Sequence, residues 1–239
     1  MKIVDKILNG YKQVVFIDFE GSQHSQEIIA IGALKVTLDA KNFVKTVSKG
    51  FKVLVKINTP VGHIVTNLTG ITDELLENEG VSFKEAMSRF KQYVGDSQVK
   101  FIEYGNFDMH LLHNSAVNNE LNDDLFIRYI YEHNIDFSQV VHRFIRNKSN
   151  TYISQNDALK ILNRNIEGTK HDPLDDCINL KNLYDAFLKE KNIVKEQYMN
   201  VLRHTNLPTP FVKILKKIEA EQKVTLKDYE TYIEEDIRW

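Results

Sequence analysis

The hydrophobic positions of this chain follow two periods, one typical of strands and one typical of helices. Short β-branched and aromatic runs predict three buried strands, at 14–17, 28–36 and 99–102. Alternating apolar and polar residues predict a further strand at 44–55, and apolar residues at helical spacing predict a helix at 83–94. Because strands come first and then alternate with helices, the pattern predicts an α/β fold around a mixed sheet.

Local start signals indicate where the later helices begin. A helix is predicted to start at Asp108, directly after the strand at 99–102. Two more are predicted at 137–145 and 154–162, the second of which begins with a serine capping box. The last core helix is predicted to begin at Asp172, an N-cap acid followed by a proline in the first helical position.

Beyond residue 191 the pattern is helical only. A turn at 207–210 precedes a helix predicted to run from Thr209 to Glu221, and Thr225 begins another with a second capping box. We therefore predict two domains, a core at 1–191 and a small helical appendage at 192–239.

Composition narrows the class of protein. The 239 residues are 42% hydrophobic, which is enough for one domain with a substantial core plus an appendage. The net charge of −2 excludes a general electrostatic attraction to nucleic acid, so any such attraction must be local. The lone Cys177 excludes an internal disulfide framework and favours a reducing compartment. Without a signal-peptide core or a membrane-spanning apolar run, we expect a cytoplasmic protein with no membrane association.

Two carboxylates, Asp18 and Glu20, follow the first predicted strand. They are two residues apart, so their side chains leave the strand on the same face. Paired carboxylates repel each other unless a cation neutralises them, which indicates a metal site. An acidic strand end at the surface is the alternative. The apolar run before Asp18 argues against it, because that run carries both carboxylates out of a core strand.

Asp108 lies where a strand gives way to a helix, a position at which α/β folds collect ligand-binding residues. An ordinary acid at a helix N-terminus is the alternative. His171 lies in the loop before the last core helix, where a solvated or structural histidine is the alternative.

Helical geometry distinguishes Asp176 from Asp175. One apolar stripe of the last core helix is formed by Cys177, Leu180, Tyr184, Phe187 and Leu188. At about 100° per residue, Asp176 lies roughly 70° from the centre of this stripe and Asp175 roughly 170° away. We therefore expect Asp175 to face solvent and Asp176 to lie at the edge of the buried face.

Three segments together resemble the motifs of the DEDDh branch of the DnaQ-like 3′–5′ exonucleases. They are Phe16-Ile-Asp-Phe-Glu-Gly21, Tyr104-Gly-Asn-Phe-Asp108 and His171-Asp-Pro-Leu-Asp-Asp176. The resemblance extends over about residues 12–190 and implies a ribonuclease H-like fold. It also implies that two Mg²⁺ or Mn²⁺ ions are bound by four acids and that a histidine acts as general base. Those residues are Asp18, Glu20, Asp108 and Asp176 for the metals and His171 for the base.

The resemblance further implies hydrolysis of single-stranded nucleic acid from its 3′ end, releasing nucleoside 5′-monophosphates. Contacts to the substrate are expected from Phe19, Gly21, Ser22, Leu68, Thr69 and Phe107. Phe19 and Phe107 flank site acids and are candidates for stacking on a base. The Gly105-Asn-Phe-Asp108 form of the second segment and the run Asp175-Asp-Cys-Ile-Asn179 are more similar to the branch that trims RNA, so RNA is expected to be slightly favoured over DNA.

A local source of positive charge lies between His142 and Lys170. Its basic residues are Arg143, Arg146, Lys148, Lys160, Arg164 and Lys170, against only two acids. This region is a candidate for binding backbone phosphates, and a solvated helical face is the alternative.

Two other classes of protein remain as alternatives. The first is an all-helical metal-dependent phosphohydrolase built on the His171-Asp172 dipeptide, which the strand-rich first hundred residues disfavour. The second is a catalytically silent module that binds nucleic acid or protein, which the intact set of four acids and a histidine disfavours.

Overall fold

The computed structural model describes residues 1–204 and 207–236. The chain divides into two compact units, the first at Met1–Tyr198 and the second beginning at Met199. The predicted boundary after residue 191 stays a prediction. Among the described residues, no helix combines the length and the apolar character needed to cross a membrane.

One mixed sheet organises the first unit. Its strands are β1 (Gln13–Gly21), β2 (Ile28–Leu38), β3 (Val44–Val47), β4 (Phe51–Leu54), β5 (Lys100–Glu103) and β6 (Asn134–Asp136). They are ordered β3-β2-β1-β5-β6, with β4 also paired to β2. β1 runs antiparallel to β2 and parallel to β5, and β6 runs parallel to β5. This arrangement confirms the predicted α/β class with a mixed sheet.

The single strand predicted at 44–55 is wrong, because residues 48–50 separate β3 from β4. The amide and hydroxyl of Ser48 both donate to the carbonyl of Lys35, at 2.9 and 2.8 Å. The hydroxyl of Tyr93 donates to the carbonyl of Lys49 at 3.0 Å and accepts from the amide of Lys35 at 2.8 Å. The Tyr93 hydroxyl therefore hydrogen-bonds to backbone groups of Lys35 and Lys49 that would pair with each other's strands in a continuous sheet, and the strand is interrupted there.

The helices of the first unit surround this sheet. They are α1 (Lys2–Leu8), α2 (His63–Thr69), α3 (Asp73–Glu79), α4 (Phe83–Val94), α5 (Phe107–Asn118), α6 (Leu125–His133), α7 (Phe137–Phe144), α8 (Gln155–Ile161) and α9 (Pro173–Lys189). α10 (Lys191–Arg203) spans the division between the units. The helix predicted at 83–94 is confirmed with the same bounds, and the N-caps predicted at Ser154 and Asp172 are confirmed.

The second unit contains α11 (Thr209–Glu219) and α12 (Leu226–Asp236), which confirms the two helices predicted after residue 208. The ring centroids of Phe211 and Tyr229 lie 5.4 Å apart and join the two helices. An ion pair between Lys217 and Asp228 links them as well.

Two cores lie on opposite faces of the sheet, because successive side chains of a strand point to opposite sides. Val14 and Phe16 of β1 pack under α7, α8 and α9, where the Phe16 ring lies 5.6 Å from that of Tyr184. Val15 and Ile17 pack under α4, α5 and α6 instead. By the same alternation, the side chains two and four residues after Phe16 point to the α9 face.

Gly32 permits the close approach of α9 to the sheet. It is the β2 partner of Asp18, and a Cβ atom at this position would lie 2.2 Å from backbone atoms of Pro173. Because only glycine leaves this space free, the first turn of α9 can lie directly against the strand opposite Asp18.

Candidate active site

The sequence-predicted site residues meet at one cleft of about 800 Å³ at the end of β1. Its lining includes Asp18, Phe19, Glu20, Gly21, Ser22, Leu68, Thr69, Phe107, Asp108, His171 and Asp176. The cleft lining includes residues of β1, α2, α5, α8, the loop before α9, and α9 itself. Residues up to about 160 positions apart in the sequence are therefore brought together by the fold.

Asp18 and Asp108 form the buried end of the cleft. The amide of Phe19 donates to Oδ1 of Asp108 at 2.6 Å, which ties the start of α5 to β1. Burial raises the pKa of Asp18 well above its ordinary value, and the neighbouring Asp108 carboxylate raises it further. The pKa of Asp108 is also raised, by burial first and then by Glu103. For both residues burial is the larger cause, and the negative charge of a neighbouring carboxylate adds to it.

Glu20, His171 and Asp176 form a second cluster towards the opening. One ligand atom of each lies within 4.8 Å of the others, the single group of this kind found among the described residues. Nδ1 of His171 lies 4.0 Å from Oε1 of Glu20. Burial, followed by the charges of Asp18 and Asp176, raises the pKa of Glu20 to about 8.

This donor set fits hard divalent cations. Four carboxylates converge on the cleft, and carboxylate oxygens are the protein ligands that Mg²⁺ and Mn²⁺ prefer. Burial, with neighbouring carboxylates second, raises the pKa values of Asp18, Glu20 and Asp108, and bound positive charge would favour the ionised form of all three. The residues present therefore fit the metal ions that the sequence implies.

Side chains of α9 hold the loop that carries His171. Asn179 accepts from the amide of Glu167 and donates to its carbonyl, both at 2.9 Å. Asp176 accepts from the amide of His171 at 3.0 Å. His171 has a left-handed backbone, with a φ of 65°, which is uncommon outside glycine. The loop therefore needs these contacts to keep His171 at the cleft.

The expectation that Asp175 simply faces solvent is wrong. Asp175 is half-buried, and its Oδ2 accepts from the amide of Thr169 at 2.8 Å. Helical geometry showed that Asp175 points away from the apolar stripe of α9. It could not show that the loop before α9 folds back over the Asp175 side chain. Of the two neighbouring acids, Asp176 lines the cleft and Asp175 supports the loop from behind.

The residues expected to contact substrate differ in how much of each side chain is exposed to solvent and free of other bonds. The Phe19 ring is only 5% exposed and packs edge-on against Phe90, so it is not available for the base stacking that we predicted. Phe107 and Leu68 are 55% and 53% exposed at the cleft. The Ser22 hydroxyl is bonded to that of Ser25 at 2.7 Å and accepts from a nearby amide.

Gly21 and Thr69 complete that set. A Cβ at Gly21 would lie 2.3 Å from the Leu111 side chain, so glycine keeps the strand close to α5. The Thr69 hydroxyl donates to the carbonyl of Val65 at 2.9 Å, so its hydrogen is already used within α2.

Several cleft residues were missed in the sequence. Gln23, Gln26, Gln155 and Asn156 also line it, and no motif marked them as part of a site. Tyr104 lines it too; it begins one of the three motif segments but was not predicted as a site residue. Glu103 is a fully buried carboxyl group beside Asp108, and burial raises its pKa to about 7. Its position at the end of a buried strand was the one signal that could have singled it out.

The basic region between His142 and Lys170 is divided by the fold. Lys160 and Lys170 line the cleft. Arg164 instead forms an ion pair with Glu190 at 2.5 Å, and Arg143 lines a different hollow beside α1. Only part of the predicted positive patch therefore faces the candidate site.

A mixed sheet with four carboxylates and a histidine at one strand end defines a nuclease of the ribonuclease H-like fold. The family model described as exonuclease (RNase_T) matches residues 15–184. The chain belongs to this family of metal-dependent, DEDDh-type exonucleases, which confirms the resemblance noted in the sequence.

Solved structures share this fold at low sequence identity. The nuclease domain of 3′hExo, a DEDDh family member bound to rAMP, superimposes with a TM-score of 0.62 at 18% identity, covering 76% of this chain and 94% of that one. Cell-death related nuclease 4 (CRN-4) gives 0.59 at 16%, covering 75% and 64%. E. coli Exonuclease I with a dA16 oligonucleotide gives 0.59 at 15%, covering 77% and 42%. No curated protein sequence matches this chain.

Proposed function

We propose that this protein is a metal-dependent 3′–5′ exonuclease that releases nucleoside 5′-monophosphates from single-stranded 3′ ends. The observation that carries the proposal is the convergence of Asp18, Glu20, Asp108 and Asp176 on one cleft that His171 borders. Membership of the exonuclease family supports the reaction class. The direction of digestion is inferred from the DEDDh branch that the sequence motifs resemble.

The four acids would hold two Mg²⁺ or Mn²⁺ ions. Asp18 lies at the buried end of the cleft, close to both Asp108 and Asp176, whose negative charges add to burial in raising its pKa. When bound, such ions supply positive charge that stabilises the phosphate in the transition state and the leaving 3′ oxygen. Without such ions the carboxylates would repel the phosphate, so their own role is to hold the ions in the cleft.

His171 would act as the general base. Its side chain is about one-third exposed and lies beside Glu20, so it can meet a water molecule at the mouth of the cleft. The water oxygen bonds to phosphorus while its proton passes to the imidazole, and the bond from phosphorus to the 3′ oxygen breaks. The terminal nucleotide leaves with its 5′-phosphate, and the shortened strand takes a proton on its new 3′ hydroxyl.

We further propose a preference between RNA and DNA as the substrate. RNA preference requires a contact to the 2′-hydroxyl, which is the group that distinguishes the two polymers. Backbone groups of Phe19–Ser22 adjoin the acids and are the candidate source of that contact. Structures that share the fold hold rAMP in one case and dA16 in another, so we propose only a modest preference for RNA. A cytoplasmic location stays a prediction from the lone Cys177.

The test is digestion of 5′-labelled single-stranded RNA and DNA of matched sequence with Mg²⁺, with Mn²⁺ and with a chelator. We expect a ladder that shortens from the 3′ end, requires metal and is lost in Asp108→Asn. Faster RNA than DNA digestion at several salt concentrations would support the RNA preference. Cleavage of a circular substrate, or cleavage that resists chelation, would contradict the proposal. Metal-independent binding without digestion would favour the catalytically silent module instead.

A further inference from the structure

A row of stacked rings leads out of the cleft to the protein surface. Tyr104 lines the cleft, and its ring centroid lies 5.8 Å from that of His142 in an edge-on contact. The His142 ring in turn stacks on Tyr152, with centroids 4.4 Å apart and ring planes 10° from parallel. Tyr152 is 72% exposed, so one face of its ring is covered and the rest is open to solvent.

The position of these rings is held by one carbonyl group. The carbonyl oxygen of Ile153 accepts from the Tyr104 hydroxyl and from Nε2 of His142, each at 2.9 Å. Because a carbonyl only accepts, Nε2 of His142 must carry a hydrogen, which decides how the imidazole is oriented under Tyr152. The rings are therefore ordered before any ligand binds, and a ligand would lose little entropy in ordering them.

The loop that carries Tyr152 is built by its own hydrogen bonds. Oδ1 of Asn147 accepts from the amides of Ser149 and Thr151, at 3.0 and 2.9 Å. An exposed aromatic ring on a loop held in this way is unusual for a residue that only fills space, because most of the ring stays in contact with water.

Positive charge accompanies the exposed ring. The Arg146 guanidinium lies 5.8 Å from the Tyr152 ring centroid and donates to the carbonyls of His142 and Asn150, both at 3.2 Å. Within 1–204 and 207–236 no carboxylate pairs with Arg146 or with the exposed Lys148 of the same loop. The overall charge of the chain is −2, so this is a local positive site next to an acidic cleft.

We propose that Tyr152, supported by His142 and Arg146, is a stacking platform for a nucleotide upstream of the 3′ end held in the cleft. An open aromatic face accepts any base, and the neighbouring guanidinium attracts the phosphate backbone. The platform is continuous with the cleft, because Ser154, two residues after Tyr152, lines it together with Tyr104. This proposal rests on the proposed nuclease function and adds a second contact point on the same strand.

The test compares substrates that reach Tyr152 with one that does not. The p-nitrophenyl ester of thymidine 5′-monophosphate fills only the terminal site, whereas a twelve-nucleotide single strand extends beyond it. A stacked base contributes about 1–3 kcal/mol, so Tyr152→Ala should lower the ratio of kcat/KM, oligonucleotide over ester, about 5- to 150-fold. Tyr152→Phe keeps the ring and should keep the ratio. Tyr131→Ala, which removes a partly exposed tyrosine of α6 outside the cleft, is the matched control.

Binding in the presence of a chelator separates this proposal from the nuclease function. The dissociation constant of a fluorescein-labelled twelve-nucleotide strand should rise in Tyr152→Ala by the same factor, whether or not the wild type hydrolyses anything. An absence of hydrolysis in every wild-type assay would overturn the nuclease function but leave this binding comparison to decide the platform. Equal loss on ester and oligonucleotide, equal affinity of Tyr152→Ala and wild type, or no wild-type affinity would overturn the platform.

Discussion

Replacing Glu20 with glutamine should stabilise the metal-free protein at neutral and alkaline pH. Glu20 lies in a cluster of acids, and its side chain is only 14% exposed, so water compensates little of the repulsion. Burial and the neighbouring Asp18 charge raise its pKa from 4.5 to about 8. Glutamine has the same shape and no charge, and it therefore removes the repulsion without leaving a cavity.

The sign and the size of the change in stability follow from the raised pKa of Glu20. A carboxyl group whose pKa is raised by folding favours the folded state fully below pH 4.5, and that contribution is lost as the pH rises to about 8. At about 1.4 kcal/mol per pKa unit, the loss amounts to roughly 5 kcal/mol over this window and about 3 kcal/mol at pH 7. One kcal/mol shifts the Tm of a domain of this size by about 2–4 °C, so a difference of about 10–20 °C is expected at pH 8.

The measurement is thermal unfolding followed by circular dichroism in chelator at pH 5, 7 and 8, and then with added Mn²⁺. The wild type should lose stability from pH 5 to pH 8 and regain it with Mn²⁺, whereas Glu20→Gln should change less in both comparisons. Glu77→Gln is the matched control, because the Glu77 side chain is 80% exposed and lies outside the cleft. A lower Tm for Glu20→Gln than for wild type at pH 8 without metal would refute the reasoning, as would equal stabilisation of both proteins by Mn²⁺.

Three further predictions concern the elements around the site. In His171→Ala the rise of the reaction rate with pH should flatten, because no imidazole remains to accept the proton of the attacking water, and an unchanged pH–rate profile would assign the base elsewhere. Asp175→Ala should keep measurable turnover but lose about 1–3 kcal/mol of stability, because its hydrogen bond to the amide of Thr169 is removed. Asp176→Ala should lose turnover, because Asp176 lines the cleft. Equal activities in the two variants would contradict this prediction. Gly32→Ala should lower the free energy of unfolding by about 1–3 kcal/mol, because its Cβ meets backbone rather than a movable side chain, and an unchanged denaturation midpoint would contradict the close packing of α9.

Long periodic elements could be predicted because their pattern depends on neighbours in the sequence. The helix at 83–94 has apolar residues on one face over three turns, and the structure has the same bounds. The short helices α2 and α3, with seven residues each, were not predicted, because so few residues do not establish a period. The break between β3 and β4 was missed for a different reason, since Tyr93, which causes it, lies more than forty positions away.

The sequence by itself determined the family, the class of sheet and the order of the acidic motifs, because each depends on residue type and local spacing. Only the tertiary structure decided which side chains are free to act. It buries the Phe19 ring against Phe90, bonds Asp175 to the loop before α9, and turns Arg164 towards Glu190. Glu103 became visible as a neighbour of Asp108 for the same reason. These outcomes depend on contacts between helices, strands and loops that are distant in the sequence. Hydrophobic periodicity reports only on neighbours in the sequence, so it does not show which charged or aromatic side chains will be in contact in the folded protein.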